Sequence, residues 1–192
     1  MAGTLKTDIV QTDTIRPTSV SGTVTLGASG ETISIPSGAT FSATAGTMTG
    51  QNYPAFRAHR STTDQLITNS TFTKIEFNTE TFDTDSAYDN STNYRFTPQV
   101  AGKYFFTTTI RMNSISTIDN YQVFLYKNGS IHTRFANGGT LTANPSNSVS
   151  DILTMNGSTD YVEVFVLHTY GSARNIAQDS VNTYFLGYRI GA

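Results

Sequence analysis

Residues 94–112, YRFTPQVAGKYFFTTTIRM, alternate apolar and polar side chains on both sides of a Pro98–Gly102 corner. Successive side chains on a strand point to opposite faces. Tyr94 and Phe96 therefore share one face. Beyond the corner Tyr104 and Phe106 point one way, and Phe105 and Thr107 the other. Thr107, Thr108 and Thr109 run together, and β-branched residues stiffen χ1 and favour a pleated, half-buried surface over a helix. The segment predicts two strands joined by a tight turn.

The same logic extends downstream. Strands are expected near 55–60, 71–77, 92–98, 102–112, 121–127, 131–135, 148–155, 160–168 and 183–190, with loops at 61–70, 83–93 and 136–147. Asn-Gly pairs begin at Asn128, Asn137 and Asn156, and this pair supplies the positive φ angles of tight hairpin turns. No segment carries helical periodicity beyond a turn, so the class is all-β.

Residues 1–52 read differently. Half of the first fifty are Ser, Thr or Gly, and of the 22 aromatic residues only Phe41 precedes Tyr53. Short runs such as Val20, Val24 and Leu26 would each bury a few branched side chains. Fixing a residue costs about 1–2 kcal/mol of backbone entropy, against about 1.5–3 kcal/mol for fully burying a Val or Ile. The segment is expected to order only against its own copies or a larger assembly, as an attachment arm or short shaft, with a globular domain over 53–192.

FTP followed by GKYFF resembles the signature of the C1q-like globular head, the trimeric jelly roll shared by complement and tumour-necrosis-factor-like proteins. Further pieces fall in the same order: Ala55–Phe56, Phe77–Asn78, Phe82–Asp83, Tyr88–Asp89, YKNG at 126–129, DYVEV at 160–164, and Phe185, Gly187 and Tyr188 near the end. The resemblance implies a jelly-roll β-sandwich, a homotrimer and a binding role without chemistry. Runs such as 104–106, 123–126 and 162–167 are apolar on both faces in places, whereas a lone sandwich needs one apolar face per sheet. Tyr104, Phe106, Phe185 and Tyr188 are therefore assigned jointly to core and trimer contact. The Thr/Ser/Gly-rich arm resembles in style those of bacteriophage fibre and decoration proteins.

Charge and motif content narrow the function. Formal net charge is −2 with 14% charged residues and no basic run, so nothing attracts a phosphate backbone. No nucleic-acid partner is expected. No apolar run approaches the roughly 20 residues of a membrane helix, and no membrane insertion is expected. The absence of cysteine removes thiol chemistry and disulfides and leans toward folding in a reducing cytoplasm. The first residues show no basic start with an apolar run, so no signal peptide is expected.

His59, His132 and His168 lie far apart without a second ligand at metal spacing. Asp83, Asp85 and Asp89 supply hard oxygens at close spacing, but the run lacks the Gly and closing Glu of a calcium loop. It reads as a solvated loop, and no cofactor is expected. No carboxylate pair, nucleophile elbow or phosphate loop stands out, so the chain is expected not to be an enzyme. The loops holding Asn137, Asn144, Tyr170 and Arg174 offer short polar side chains with aromatic platforms, suited to sugars or adaptable protein contacts. The reading is a virion structural protein of a bacteriophage, made in the host cytoplasm and carried at the tail or capsid surface. Its arm contacts other virion proteins, and its trimeric head binds a host-surface glycan or protein as a tail fibre. A capsid decoration or head-fibre protein clamping the shell, and a bacterial surface recognition module, are the alternatives.

Overall fold

The computed structural model describes residues 37–38, 53–113, 115–118, 120–136 and 140–191. The arm expected over 1–52, apart from Ser37 and Gly38, lies outside them, as does Asn137. The chain divides into units 1–50 and 51–192; the fold below is that of the second.

Among the described residues fifteen strands follow in order. They are β1 (Ala55–His59), β2 (Gln65–Ile67), β3 (Thr73–Lys74), β4 (Thr79–Asp83), β5 (Tyr88–Asp89), β6 (Arg95–Phe96) and β7 (Gly102–Asn113), then β8 (Thr117–Ile118), β9 (Tyr121–Lys127), β10 (Ser130–Ala136) and β11 (Leu141–Thr142), and finally β12 (Ser146–Met155), β13 (Val162–His168), β14 (Arg174–Ile176) and β15 (Tyr184–Gly191). All pairings are antiparallel. One sheet runs β2-β14-β7-β15-β1-β4 with β12 on the other side of β7; the second runs β10-β9-β13-β6-β5 with β3 beside β13; β8 and β11 pair separately. The result is an all-β jelly-roll sandwich.

The long central strand behaves as its alternation requires. Along β7 the residues from Gly102 to Met112 at even positions are buried and those at odd positions are partly or fully exposed. Phe106 packs against Phe56, Phe96 and Phe185 with ring centroids 6.4, 5.8 and 5.9 Å apart. Gly187 leaves room for that ring, since a Cβ there would stand 2.5 Å from it.

Three features differ from the sequence expectation. The Pro98–Gly102 corner does not join neighbouring strands, because β6 lies in the second sheet and β7 in the first; the chain crosses the sandwich there. Tyr94 precedes β6 at a positive φ of 49°, which takes it out of the strand phase of Phe96. Of the Asn-Gly pairs, Asn128–Gly129 closes a two-residue hairpin between β9 and β10 with φ of 52° and 76°. Asn156–Gly157 instead begins a crossing between sheets. There the Asn156 Oδ1 accepts backbone N–H groups of Ser158, Thr159 and Asp160. Gly157, at φ 72°, approaches so closely that a Cβ would meet the Ala101 nitrogen at 2.2 Å. Two crossings thus touch.

The segments expected as loops contain β2, β5, β11 and β14. Each is only two or three residues long, too short to show a period. Side chains fix them instead: Gln65 donates from Nε2 to the Lys74 carbonyl (2.7 Å) and accepts from the Glu76 N–H at Oε1 (2.9 Å).

Truncating Phe106 to Ala removes the ring that both sheets share, and large-to-small core changes of this kind cost about 3–5 kcal/mol. Chemical denaturation should show that loss, with a lowered melting temperature. Gly157→Ala should also destabilise, because its Cβ would collide with backbone that has no side chain to rotate away.

Candidate functional site

Two apolar surfaces and a pocket stand out among the described residues. The residues named from sequence separate among them. Tyr104, Phe106 and Phe185 have no exposed surface, whereas Tyr188 is 46% exposed. Phe185 and Tyr188 are three apart on one strand, so alternation sets them on opposite faces; Tyr188 stands outside.

Its neighbours make that face apolar. Across the first sheet Ile152, Phe105, Tyr188 and Ala55 are successive cross-strand partners, and the Phe105 and Tyr188 rings lie 5.6 Å apart. Ile152, Phe82 and Ile190 are each about half exposed. Farther along, the rows turn polar: Thr109 and Ser148 share a hydroxyl hydrogen bond of 2.8 Å, and the Arg57 guanidinium covers Tyr184 at 4.8 Å. The other face of this sheet is already packed, so these side chains form an exposed apolar patch of the kind that interaction sites present.

The second surface is an edge. Among the described residues strand β10 pairs only with β9, and six of its seven residues are exposed, among them Ile131 and Phe135. Thr133 donates to the Asp151 carboxylate of β12, and His132 Nε2 lies 3.6 Å from it. These contacts hold the edge against the first sheet and leave its apolar side chains outward.

The pocket lies at one end of the sandwich. The N-terminal end of β7 adjoins the entry of the domain, where the Pro54 carbonyl accepts from the Arg189 N–H. Twelve strand residues at about 3.3 Å each place the other end of β7 about 40 Å away. There a pocket of about 330 Å³ is lined by Thr117, Ile118, Thr169 and Tyr170. Arg174 stacks its guanidinium on the Tyr170 ring at 3.8 Å. Hydrogen bonds from Ser116 and then Arg174 hold the Tyr170 hydroxyl below its ordinary pKa.

The backbone around it is pinned. The Tyr170 N–H donates to His168 Nδ1 (3.3 Å), and the Gly171 N–H to Asn69 Oδ1 (2.8 Å). Asn144 accepts the Ile115 N–H at its side-chain oxygen (3.0 Å) and donates its own N–H to the Ile115 carbonyl (3.1 Å). Asn144, Tyr170 and Arg174, three of the four loop residues named from sequence, therefore gather at one end. Thr117, Ile118 and Thr169 were missed, since a two-residue strand inside a polar stretch carries no recognisable pattern.

The acidic run is used locally. The Asp83 carboxylate accepts the Asp85 and Tyr88 N–H groups. Asp89 accepts those of Ser91, Thr92 and Asn93; the Thr92 bond leads in holding its pKa far below the usual carboxylate range. Among the described residues no three His, Cys, Asp or Glu side chains form a metal-binding group, and no helix is long and apolar enough to cross a membrane.

His168 is wholly buried beneath the pocket, its Nε2 3.5 Å from the Ile67 carbonyl. Burial, with Arg174 adding to it, lowers its pKa from 6.5. The folded chain thus binds a proton less readily than the unfolded one. Its contribution to stability is complete above pH 6.5 and is lost as pH falls through the lowered value. Denaturation at a series of pH values should show stability falling below pH 6.5, and His168→Gln should flatten that dependence.

The C1q domain matches residues 55–190. Among solved structures, the globular domain of zebrafish complement 1qA superimposes with a TM-score of 0.53 at 19% identity, covering 72% of this chain and 98% of that one. Murine APRIL at pH 5.0 gives 0.56 at 7% identity, covering 72% and 100%. The vertex protein P5 of phage PRD1 gives 0.53 at 17% identity, covering 72% and 97%. No curated protein matches the sequence.

Proposed function

The chain belongs to the C1q domain family, and from that premise we propose that it is a non-enzymatic structural protein of a bacteriophage virion, displaying a homotrimeric jelly-roll head on an N-terminal attachment arm. The observation that carries the trimer is the pair of unlike apolar surfaces on one chain: the Phe105–Tyr188 sheet face and the Ile131–Phe135 edge. A self-complementary dimer needs one patch that meets itself, whereas two different patches make a head-to-tail contact, which closes into a ring where the rotation between copies closes. The threefold ring leaves the Tyr170 end outward and the domain entry at Tyr53 on the opposite side. In the tail-fibre reading the outward end meets the host surface.

The likeness to a phage vertex protein supports a second placement, on the capsid, where the arm clamps shell subunits. Both use the same head. An antibody against the head, imaged on purified particles, distinguishes them: label at the tail supports the fibre, label over the shell supports decoration, and label on no particle refutes a virion protein.

Light scattering at micromolar concentration should give three times the chain mass of 20.8 kDa, and Phe105→Asp or Tyr188→Asp should return it to one chain. A monomeric wild-type chain would exclude the interface. Deleting residues 1–50 should leave the head with its melting transition but absent from particles; normal incorporation would show that the arm is not the anchor.

A further inference from the structure

We infer that the pocket beside Tyr170 is a subsite for one neutral saccharide ring, with Tyr170 as the stacking wall, Ile118 as apolar floor and the Thr117 and Thr169 hydroxyls as hydrogen-bonding partners. The inference rests on the adhesion reading and gives it a ligand class.

The chemistry of the lining selects the class. None of Thr117, Ile118, Thr169 and Tyr170 carries a charge at neutral pH, and the Arg174 guanidinium is spread against the Tyr170 ring rather than set among the lining residues, so the lining itself selects for a neutral ligand. A purely apolar ligand fits no better, because the two threonine hydroxyls would lose water without a partner, at a cost comparable to a lost hydrogen bond. A sugar ring matches both demands: its C–H face packs on an aromatic or branched side chain, and its hydroxyls donate to and accept from threonine, which does both. About 330 Å³ lies at the small end of ligand pockets, which run from about 300 to 1,000 Å³. That suits a terminal sugar rather than an extended chain.

The wall is also held ready. Tyr170 is fixed through its N–H by His168, through its ring by Arg174, and through its hydroxyl by Ser116. Ser116 is fixed in turn, because its carbonyl accepts the Ala143 N–H at 3.0 Å. Ala143 and Asn144 both adopt positive φ, 52° and 57°, a conformation that costs non-glycine residues energy and persists only where the surroundings enforce it. A rigid aromatic wall loses little entropy when a ligand docks. Arg174 is a positioning residue here. Its Nε is buried without a partner among the described residues, so the guanidinium gives up a hydrogen bond while it lies flat against the ring.

Saturation-transfer NMR on the full chain tests this with glucose, galactose, mannose, N-acetylglucosamine and glucuronate. The expected result is transfer to at least one neutral sugar with little to glucuronate, abolished in Tyr170→Ala and weakened about tenfold, one hydrogen bond's worth, in Thr117→Val. Thr117 is exposed and valine suits a strand, so that variant keeps the fold if Tyr170→Ala does not. Arg174→Met should weaken binding while leaving the same sugar preferred. No transfer to any neutral sugar, stronger transfer to glucuronate, or undiminished transfer in Thr117→Val and Tyr170→Ala would each overturn the subsite. Attachment of the fluorescent chain to bacterial cells is scored separately. Attachment that survives both variants, with no sugar signal, overturns the pocket and spares adhesion; sugar binding without attachment to cells supports the pocket and counts against adhesion.

Discussion

Four phenylalanines hold the two sheets together. Phe56 stacks on Phe96 of the opposite sheet at 4.3 Å and meets Phe185 edge-on at 4.9 Å, while Phe106 lies beside all three. They come from β1 and β15 at the two ends of the domain and from the consecutive β6 and β7 in its middle, so the cluster forms only when both ends of the domain have found the middle. Aromatic pairs in such geometries contribute about 0.5–1.5 kcal/mol beyond their buried area. Their larger consequence is positional. With Phe106 seated over Gly187, the phase of β7 and β15 is set, and Phe105 and Tyr188 must point out.

That phase makes the first sheet two-sided in character. A strand slipped by one residue would exchange the Phe106 and Phe105 faces, and the bulky inner rings make such a slip costly. The outer face inherits its composition from this constraint, apolar near the domain entry and polar farther along. Likewise the two crossings at Ala101 and Gly157 close one end of the sandwich tightly, leaving the opposite end to looser loops. The pocket is found where the packing is least demanding and side-chain hydrogen bonds replace it.

Much of this is legible in the sequence because period-2 alternation over seven to twelve residues has little else to mean. β7, β9, β12, β13 and β15 all fall where alternation puts them. The same rule, applied more strictly, separates Phe185 from Tyr188, and it sets Ile152 on the same side as Phe105 once Val149 and Leu153 are placed inward. What alternation cannot show is which strands pair. The Pro98–Gly102 corner reads as a turn in either case, whether it joins neighbours in one sheet or crosses between two, and the difference lies in contacts of Phe96 with residues as distant in sequence as Phe56 and Val162. The pocket was half legible: Tyr170 and Arg174 stand out by residue type, but Thr117 and Ile118 reach them only through the β8–β11 pairing and the backbone of Ala143 and Asn144.

The arrangement has a direction that bears on how weakly a single site can bind and still serve adhesion. The domain is entered at Tyr53, beside the Phe105–Tyr188 patch, and the Tyr170 pocket lies at the far end of β7. If three copies meet through that patch, three pockets face the same way. A small, open pocket with a few hydrogen bonds gives a weak single contact. Binding at one pocket raises the effective concentration of ligand at the other two to roughly millimolar levels on a surface that presents the same sugar repeatedly, and avidity rises by about 10²–10⁴ without any new contact. On the proposed adhesion reading the small pocket and the apolar patch far from it are two parts of one design, with affinity placed in the assembly and selectivity in the Tyr170 wall.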